Sequence, residues 1–249
     1  MKNTLLLFII AVFLIACNAK PKPDAQGIID ATIAKAGGEA YNTLDLSFDF
    51  RGKQYHIKRD DGIYEFTRIT KSDSLVVKDV VTNNTFQRFE NDWPIAVPDS
   101  MAVRYRSSIN SVQYFTLLPY GLNDTAVQKE LLGEEIINGV RYYKVKVTFA
   151  EEGGGEDFED VFIYWINSEG YTIDYLAYSY IETDNIGMRF RRAFNIRVVE
   201  GIRFVDYENY KPTADNPVLA NLAQDFQNGT LKLLSKIKNE HIKVVPTAN

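Results

Sequence analysis

Apolar residues recur along this chain at two different periods. Between residues 25 and 36, Ile28, Ile29, Thr32, Ile33 and Ala36 fall three and four apart, the spacing of one helix face. Asp24 stands before the run as an N-cap and Gly37-Gly38 stands after it as a stop. The spacing therefore predicts a short helix with one stripe packed on a sheet. From Leu44 the period drops to two. Leu46, Phe48 and Phe50 alternate with Asp45, Ser47, Asp49 and Arg51, the pattern of a strand with one buried face.

The same alternation continues after a break at Gly52-Lys53, through Tyr55, Ile57 and Arg59. Further strands are predicted over residues 63–70, 75–82 and 85–90, separated by the polar turns Asp60-Asp61-Gly62, Ser72-Asp73-Ser74 and Asn83-Asn84. The pattern breaks at residues 94–98. Pro98-Asp99-Ser100 is a helix-start signal, and Val103, Tyr105, Ile109, Val112, Phe115 and Leu118 mark a central helical insert over about residues 99–122. Residues 123–128 read as one further short helical turn. Strands then resume over 131–137 and 140–149, joined by the hairpin signal Asn138-Gly139. Residues 158–167, 171–182, 188–200 and 202–210 form a second meander. A short helix is predicted over 219–226 and a strand over 231–245. Two meanders around a helix predict an α+β domain of mostly antiparallel sheet, in two halves.

The N-terminus follows neither period. Met1-Lys2 leads into an apolar run from Leu5 to Ile15, closed by Ala16-Cys17. The run is about half of the roughly 20 apolar residues that a membrane span needs, and has the length of a signal peptide. Leu14-Ile15-Ala16-Cys17 resembles the lipobox of bacterial lipoproteins, in which the cysteine is alkylated by diacylglycerol and becomes the new N-terminus. A plain secretory signal with a bystander cysteine is the alternative. The resemblance implies a signal peptide over residues 1–16, lipidation of Cys17, and an extended tether over 17–24. A domain over 25–249 would then be held at a membrane by its lipid. Asn18, where a retained inner-membrane lipoprotein carries Asp, favours the outer membrane, facing the periplasm or the cell surface.

Composition narrows the function classes. The formal net charge of −5 disfavours nucleic acid as a partner. Cys17 is the single cysteine, so the domain has no disulfide available. Fifteen Tyr and fifteen Phe suit pleated sheets and also the walls of apolar ligand sites.

Candidate chemistry is sparse. The two histidines, His56 and His241, lie near opposite ends of the domain, and no G-x-S-x-G elbow is present. A catalytic triad and a zinc site are therefore not expected, and no cofactor is implied. The acidic loop of residues 151–160 surrounds Gly153-Gly154-Gly155 with carboxylates, among them Asp157 and Asp160. It lacks EF-hand spacing. It reads first as a solvated hairpin loop, with Asp157 and Asp160 as weak metal candidates. Arg189, Arg191, Arg192, Arg197 and Arg203 form a cluster that either pairs with neighbouring acidic strands or meets an anionic headgroup.

Gly37-Gly38-Glu39-Ala40-Tyr41, Phe48-Asp49-Phe50-Arg51-Gly52, the run from Leu117 to Leu122, the run from Phe158 to Trp165 and Arg203-Phe204-Val205-Asp206-Tyr207 resemble a family of uncharacterised Gram-negative lipoproteins. That likeness implies no catalytic residue. More remotely, the order of lipobox, helix, long meander and central helix is similar to the lipoprotein-sorting proteins LolA and LolB. It implies a curved, unclosed half-barrel wrapped around a few helices and an apolar cavity. On that reading the domain binds or carries a lipid or other hydrophobic ligand. Phe48, Phe50, Tyr114, Phe115, Leu118, Tyr164 and Trp165 are the candidate lining residues. Two alternatives stand beside it: a metal- or carboxylate-dependent hydrolase using the acidic loop, and an interaction lipoprotein without a small ligand.

Overall fold

Two seven-stranded antiparallel sheets account for most of the chain, and neither closes into a barrel. The computed structural model describes residues 23–155, 158–182 and 185–245, with only the backbone at Glu182. Cys17 and most of the tether lie outside the described residues. Among the described residues no helix is long and apolar enough to cross a membrane.

The chain begins with α1 (Ala25–Ala36). Asp24 caps it by accepting from the Gly27 N–H at 2.8 Å. A 3₁₀ turn (Gly38–Tyr41) leads into β1 (Thr43–Phe50), β2 (Lys53–Asp60), β3 (Ile63–Lys71), β4 (Val76–Thr82), β5 (Phe86–Glu90) and β6 (Trp93–Ile95). Then comes α2 (Asp99–Leu117), followed by β7 (Val127–Ile137), β8 (Val140–Phe149), β9 (Val161–Asn167), β10 (Ile173–Glu182), β11 (Asn185–Val199) and β12 (Ile202–Pro212). The short α3 (Leu222–Gln227), β13 (Leu231–Ile237) and β14 (Glu240–Val245) complete the chain. The predicted meander, helix and second meander are therefore present as α+β architecture with two open sheets.

Local sequence sets the hairpins. Arg51-Gly52, Asp61-Gly62, Asn138-Gly139 and Glu200-Gly201 are two-residue turns in which both residues have positive φ. That geometry matches the twist of the flanking strands, and glycine at the second position makes it inexpensive. In the first sheet the order is β14-β1-β2-β3-β4-β5-β6, and in the second it is β13-β12-β11-β10-β9-β8-β7.

Three predicted elements differ from the structure. Residues 123–128 are not a helical turn: β7 starts at Val127, opposite Phe149. The Ala150 N–H donates to the Ala126 carbonyl, so pairing with β8 begins before a helix could. Residues 158–160 are turn rather than strand. The predicted strand over 231–245 is two strands in two different sheets, β13 beside β12 and β14 beside β1. Asp206 fixes the crossing point, since its carboxylate accepts from the Asn239 N–H at 3.1 Å and from Arg197 at 3.0 Å.

The core lies in three clusters. In the first, Ile28 and Ile29 of α1 pack on Val145, Tyr164, Ile166 and Leu176 of the second sheet. Full burial of each isoleucine is worth about 1.5–3 kcal/mol. The second joins the inner face of the first sheet, including Leu46, Phe48 and Ile57, to Ile109 and Leu117 of α2 and to Phe204. The third lies on the opposite face of the second sheet, where α3 covers Ile163, Trp165 and Phe190 with Leu222, Ala223 and Phe226. β9 is thus buried on both faces, which explains the unbroken apolar run Val161-Phe162-Ile163-Tyr164-Trp165-Ile166.

Candidate functional site

α2 touches β4 and β5 on one side and β12 on the other, so it bridges the two sheets. Ile109 and Leu117, on its buried stripe, pack in the second core cluster against the first sheet. The other face of α2 turns toward open space. Beside that face lies a cavity of about 830 Å³. Ligand pockets range over roughly 300–1,000 Å³, so this one has ligand size.

Each wall has a local origin. The turn Arg51-Gly52 brings Phe50, Arg51 and Lys53 to the cavity from the first sheet. α2 contributes polar Ser107, Asn110 and Ser111 along its length, then Tyr114 and Phe115 one or two turns later on the same face. The second sheet contributes Phe162 from β9, Tyr178 from β10, Arg191 from β11 and Tyr207 from β12. Its rings form a continuous aromatic patch: Phe162 stacks on Tyr178 with centroids 5.3 Å apart, and Phe115 and Tyr114 sit 5.3 Å from Tyr178 and 5.4 Å from Phe162 respectively.

The acidic loop closes another side. Phe149, Gly154, Gly155 and Asp160 line the cavity. Gly154 is tight: a Cβ there would meet the Ala150 carbonyl oxygen at 2.2 Å, so the loop's path depends on glycine. Asp157 lies outside the described residues. Among the described residues no group of three or more His, Cys, Asp or Glu side chains is placed to hold a metal ion.

Of the residues singled out by sequence, Phe50, Tyr114 and Phe115 line the cavity together. Phe48 and Leu118 are buried in the second and first core clusters. Tyr164 is fully buried, and its hydroxyl shares a 2.5 Å hydrogen bond with that of Tyr114, just behind the cavity wall. Burial pushes both phenols well above their ordinary value, so this pair stays neutral. Trp165 faces the other side of the sheet, where its indole N–H donates to Glu135 at 2.8 Å. Strand parity explains the split: Tyr164 and Trp165 are neighbours, so they cannot share a face.

The arginine cluster divides in the same way. Arg192 pairs with Glu208 at 2.9 Å, Arg197 with Asp206 at 3.0 Å and Arg203 with Asp174 at 3.4 Å. Arg191 does not follow them. It is 8% exposed, and its guanidinium lies 3.7 Å from the centroid of the Phe115 ring. One hydrogen bond, to the Tyr178 hydroxyl at 2.8 Å, is its polar contact among the described residues. Its Nε is buried without a partner. Burial lowers the guanidinium's proton affinity from its ordinary value, yet an arginine remains charged at neutral pH. Arg191, Tyr178, Tyr207 and Phe162 were not singled out as lining residues from sequence. The usable signal for Arg191 was parity: it shares a strand face with Ala193, toward the core, whereas Arg192 does not.

A family model matches residues 2–239. The chain belongs to DUF6503, a family of unknown function. No curated protein sequence matches it. Among solved structures, the chain is similar to a LolA superfamily protein from Nitrosomonas europaea, with 12% identity and a TM-score of 0.48 over 91% of this chain and 96% of that one. It is also similar to a domain described as an outer membrane lipoprotein-sorting protein from Vibrio parahaemolyticus, with 6% identity and a TM-score of 0.45 over 91% and 94% of the two chains.

Proposed function

We propose that this protein is a lipid-anchored envelope protein that binds or carries a lipid or other hydrophobic ligand in the cavity beside α2. The observation that carries the reading is the cavity itself. It has ligand-sized volume, its inner wall is built of Phe115, Phe162, Tyr178 and their neighbours, and a bridging helix holds the two sheets apart around it. A few polar groups among apolar walls is the usual composition of a small-molecule site.

In this reading residues 1–16 are removed as a signal peptide, Cys17 carries the lipid, residues 17–24 are the tether, and residues 25–249 act as one binding domain at the outer membrane. The lipobox-like Leu14-Ile15-Ala16-Cys17 supports that placement. Replacing Cys17 with Ser is expected to move the protein from the membrane fraction to the soluble fraction. Continued membrane retention would refute the anchor.

The binding reading is tested on protein lacking residues 1–17. Native mass spectrometry with lipid extraction should find a co-purifying apolar molecule, and an apolar fluorescent dye should bind the emptied protein. Ser111→Trp, which places a large ring in the cavity from the exposed side of α2, should weaken dye binding while the far-UV circular dichroism stays unchanged. Absence of both lipid and dye binding in the unsubstituted protein would overturn the proposal.

A further inference from the structure

The charge of the cavity runs against the charge of the molecule. The chain as a whole carries a net −5. Among the described residues, the cavity lining holds Arg51, Lys53, Arg106 and Arg191 against one carboxylate, that of Asp160. Among the described residues, none of the four cations has a salt-bridge partner. An excess of one sign inside a cleft concentrates ligands of the other sign.

Arg191 makes the need for an anion specific. A buried charge normally has a counter-charge, because removing it from water costs several kcal/mol. Arg191 instead has aromatic faces and one phenol hydroxyl. Its cross-strand partner on β12 is Asn209, whose side-chain oxygen is also buried without a partner. The Arg191 Nε is thus an unmet donor at the wall of the cavity, while the Asn209 oxygen, an acceptor behind that wall, supplies no counter-charge. Tyr207 stands nearby with its phenol raised to about 12 by burial, so it is a neutral donor at physiological pH. A guanidinium and a phenol O–H are the donors that hold a carboxylate or phosphate oxygen.

From this geometry we infer that the ligand is an anionic amphiphile whose carboxylate or phosphate headgroup is held by Arg191 while its hydrocarbon lies against the aromatic wall of Phe115, Phe162 and Tyr178. The inference rests on the hydrophobic-ligand reading and narrows it to acidic lipids. Arg51, Lys53 and Arg106 then serve to draw the anion in, and Arg191 to hold it.

The test uses delipidated protein lacking residues 1–17 and four probes: palmitate, the palmitoyl lysophospholipid with a free phosphate head, hexadecanol and inorganic phosphate. Displacement of a bound apolar dye and calorimetry read the affinities. At least one of the two acids should bind about tenfold or more tighter than hexadecanol, the size of a charge-assisted hydrogen bond in a dry site. Which acid wins identifies the headgroup. Inorganic phosphate should bind far more weakly than either. Arg191→Met should abolish the preference for the acid over hexadecanol, and Arg191→Lys should restore part of it. Circular dichroism and urea unfolding show that each variant is folded.

Equal binding of acid and alcohol by the unsubstituted protein, or a preference that survives Arg191→Met, would overturn the inference and leave the hydrophobic-ligand reading standing. Phosphate binding as tightly as either amphiphile would overturn it too, since the chain would then contribute nothing. Failure of dye, acid and alcohol alike would remove both readings.

Discussion

Two arginines are buried in this protein to nearly the same degree and in opposite circumstances. Arg68, on β3, is 5% exposed and sits against Asp79, itself 1% exposed. Asp79 accepts from Arg68 at 2.7 and 3.1 Å and from Arg88 at 2.7 and 3.0 Å, and Arg68 also donates to Ser108 of α2 at 3.0 Å. Each of the three Arg68 guanidinium nitrogens has an acceptor, and the cluster ties the helix to the first sheet. Arg191, on the second sheet, has a ring beneath it and a phenol beside it but no carboxylate. The first arrangement fastens two elements of the protein together. The second leaves its binding capacity toward the cavity. Burial alone does not distinguish a structural charge from one kept for a ligand; its partners do.

The largest effect is expected from breaking the first arrangement. Asp79→Ala would leave Arg68 and Arg88 without their shared counter-charge, and urea unfolding should show a loss of about 3–5 kcal/mol. Ser108→Ala removes one hydrogen bond to the same charge from the helix side, for about 1–2 kcal/mol in the same measurement. Asn209→Asp would give Arg191 what Arg68 already has. It should cost the cavity its preference for acidic amphiphiles, with a change in stability of about 1 kcal/mol or less, because desolvation of the new carboxylate offsets its attraction to Arg191. Arg191→Met should leave stability unchanged or raise it by about 1–2 kcal/mol, since the relief of an unpaired buried charge is offset in part by the lost hydrogen bond to Tyr178 and the lost ring contacts. A loss on the scale of Asp79→Ala would mean that Arg191 is structural after all.

Alkaline pH offers a finer contrast. Burial raises Tyr207, on the cavity wall, to about 12, above its unfolded value near 10. The unfolded chain therefore ionises first. The stability that this group contributes is fully present below pH 10 and is lost as pH rises toward 12. Tyr207→Phe should flatten part of the fall in urea midpoint between those values. An unchanged profile would mean that the phenol titrates normally.

Much of the fold was legible because its signals are local. Period-two alternation, the dipeptides Asp61-Gly62, Asn138-Gly139 and Glu200-Gly201, and the cap at Asp24 each act within a few residues. What was not legible depended on distant partners. The segment after Leu231 reads as one strand, and only its pairing with β12 and then with β1 divides it. The site was legible in part for the same reason. Phe50, Tyr114 and Phe115 could be chosen as aromatics at turns and on a central helix. Phe48, Leu118, Tyr164 and Trp165 carry the same chemical signal, and their separation from the cavity is decided by which layer covers each face. Arg191 stood out as one of a cluster, and its lack of a carboxylate became visible only with the strands in register.

The division of the last strands between two sheets also bears on how the chain becomes folded. Asp45, near the start of the domain, pairs with Val245, near its end. β1 therefore cannot gain its outer neighbour until almost the whole chain has been delivered, and contacts this remote in sequence form slowly. A chain that emerges N-terminus first would keep its first sheet incomplete, with β1 as an open edge, until residues 240–245 are made. Late closure would make the C-terminal segment the latch that commits the molecule to its native shape.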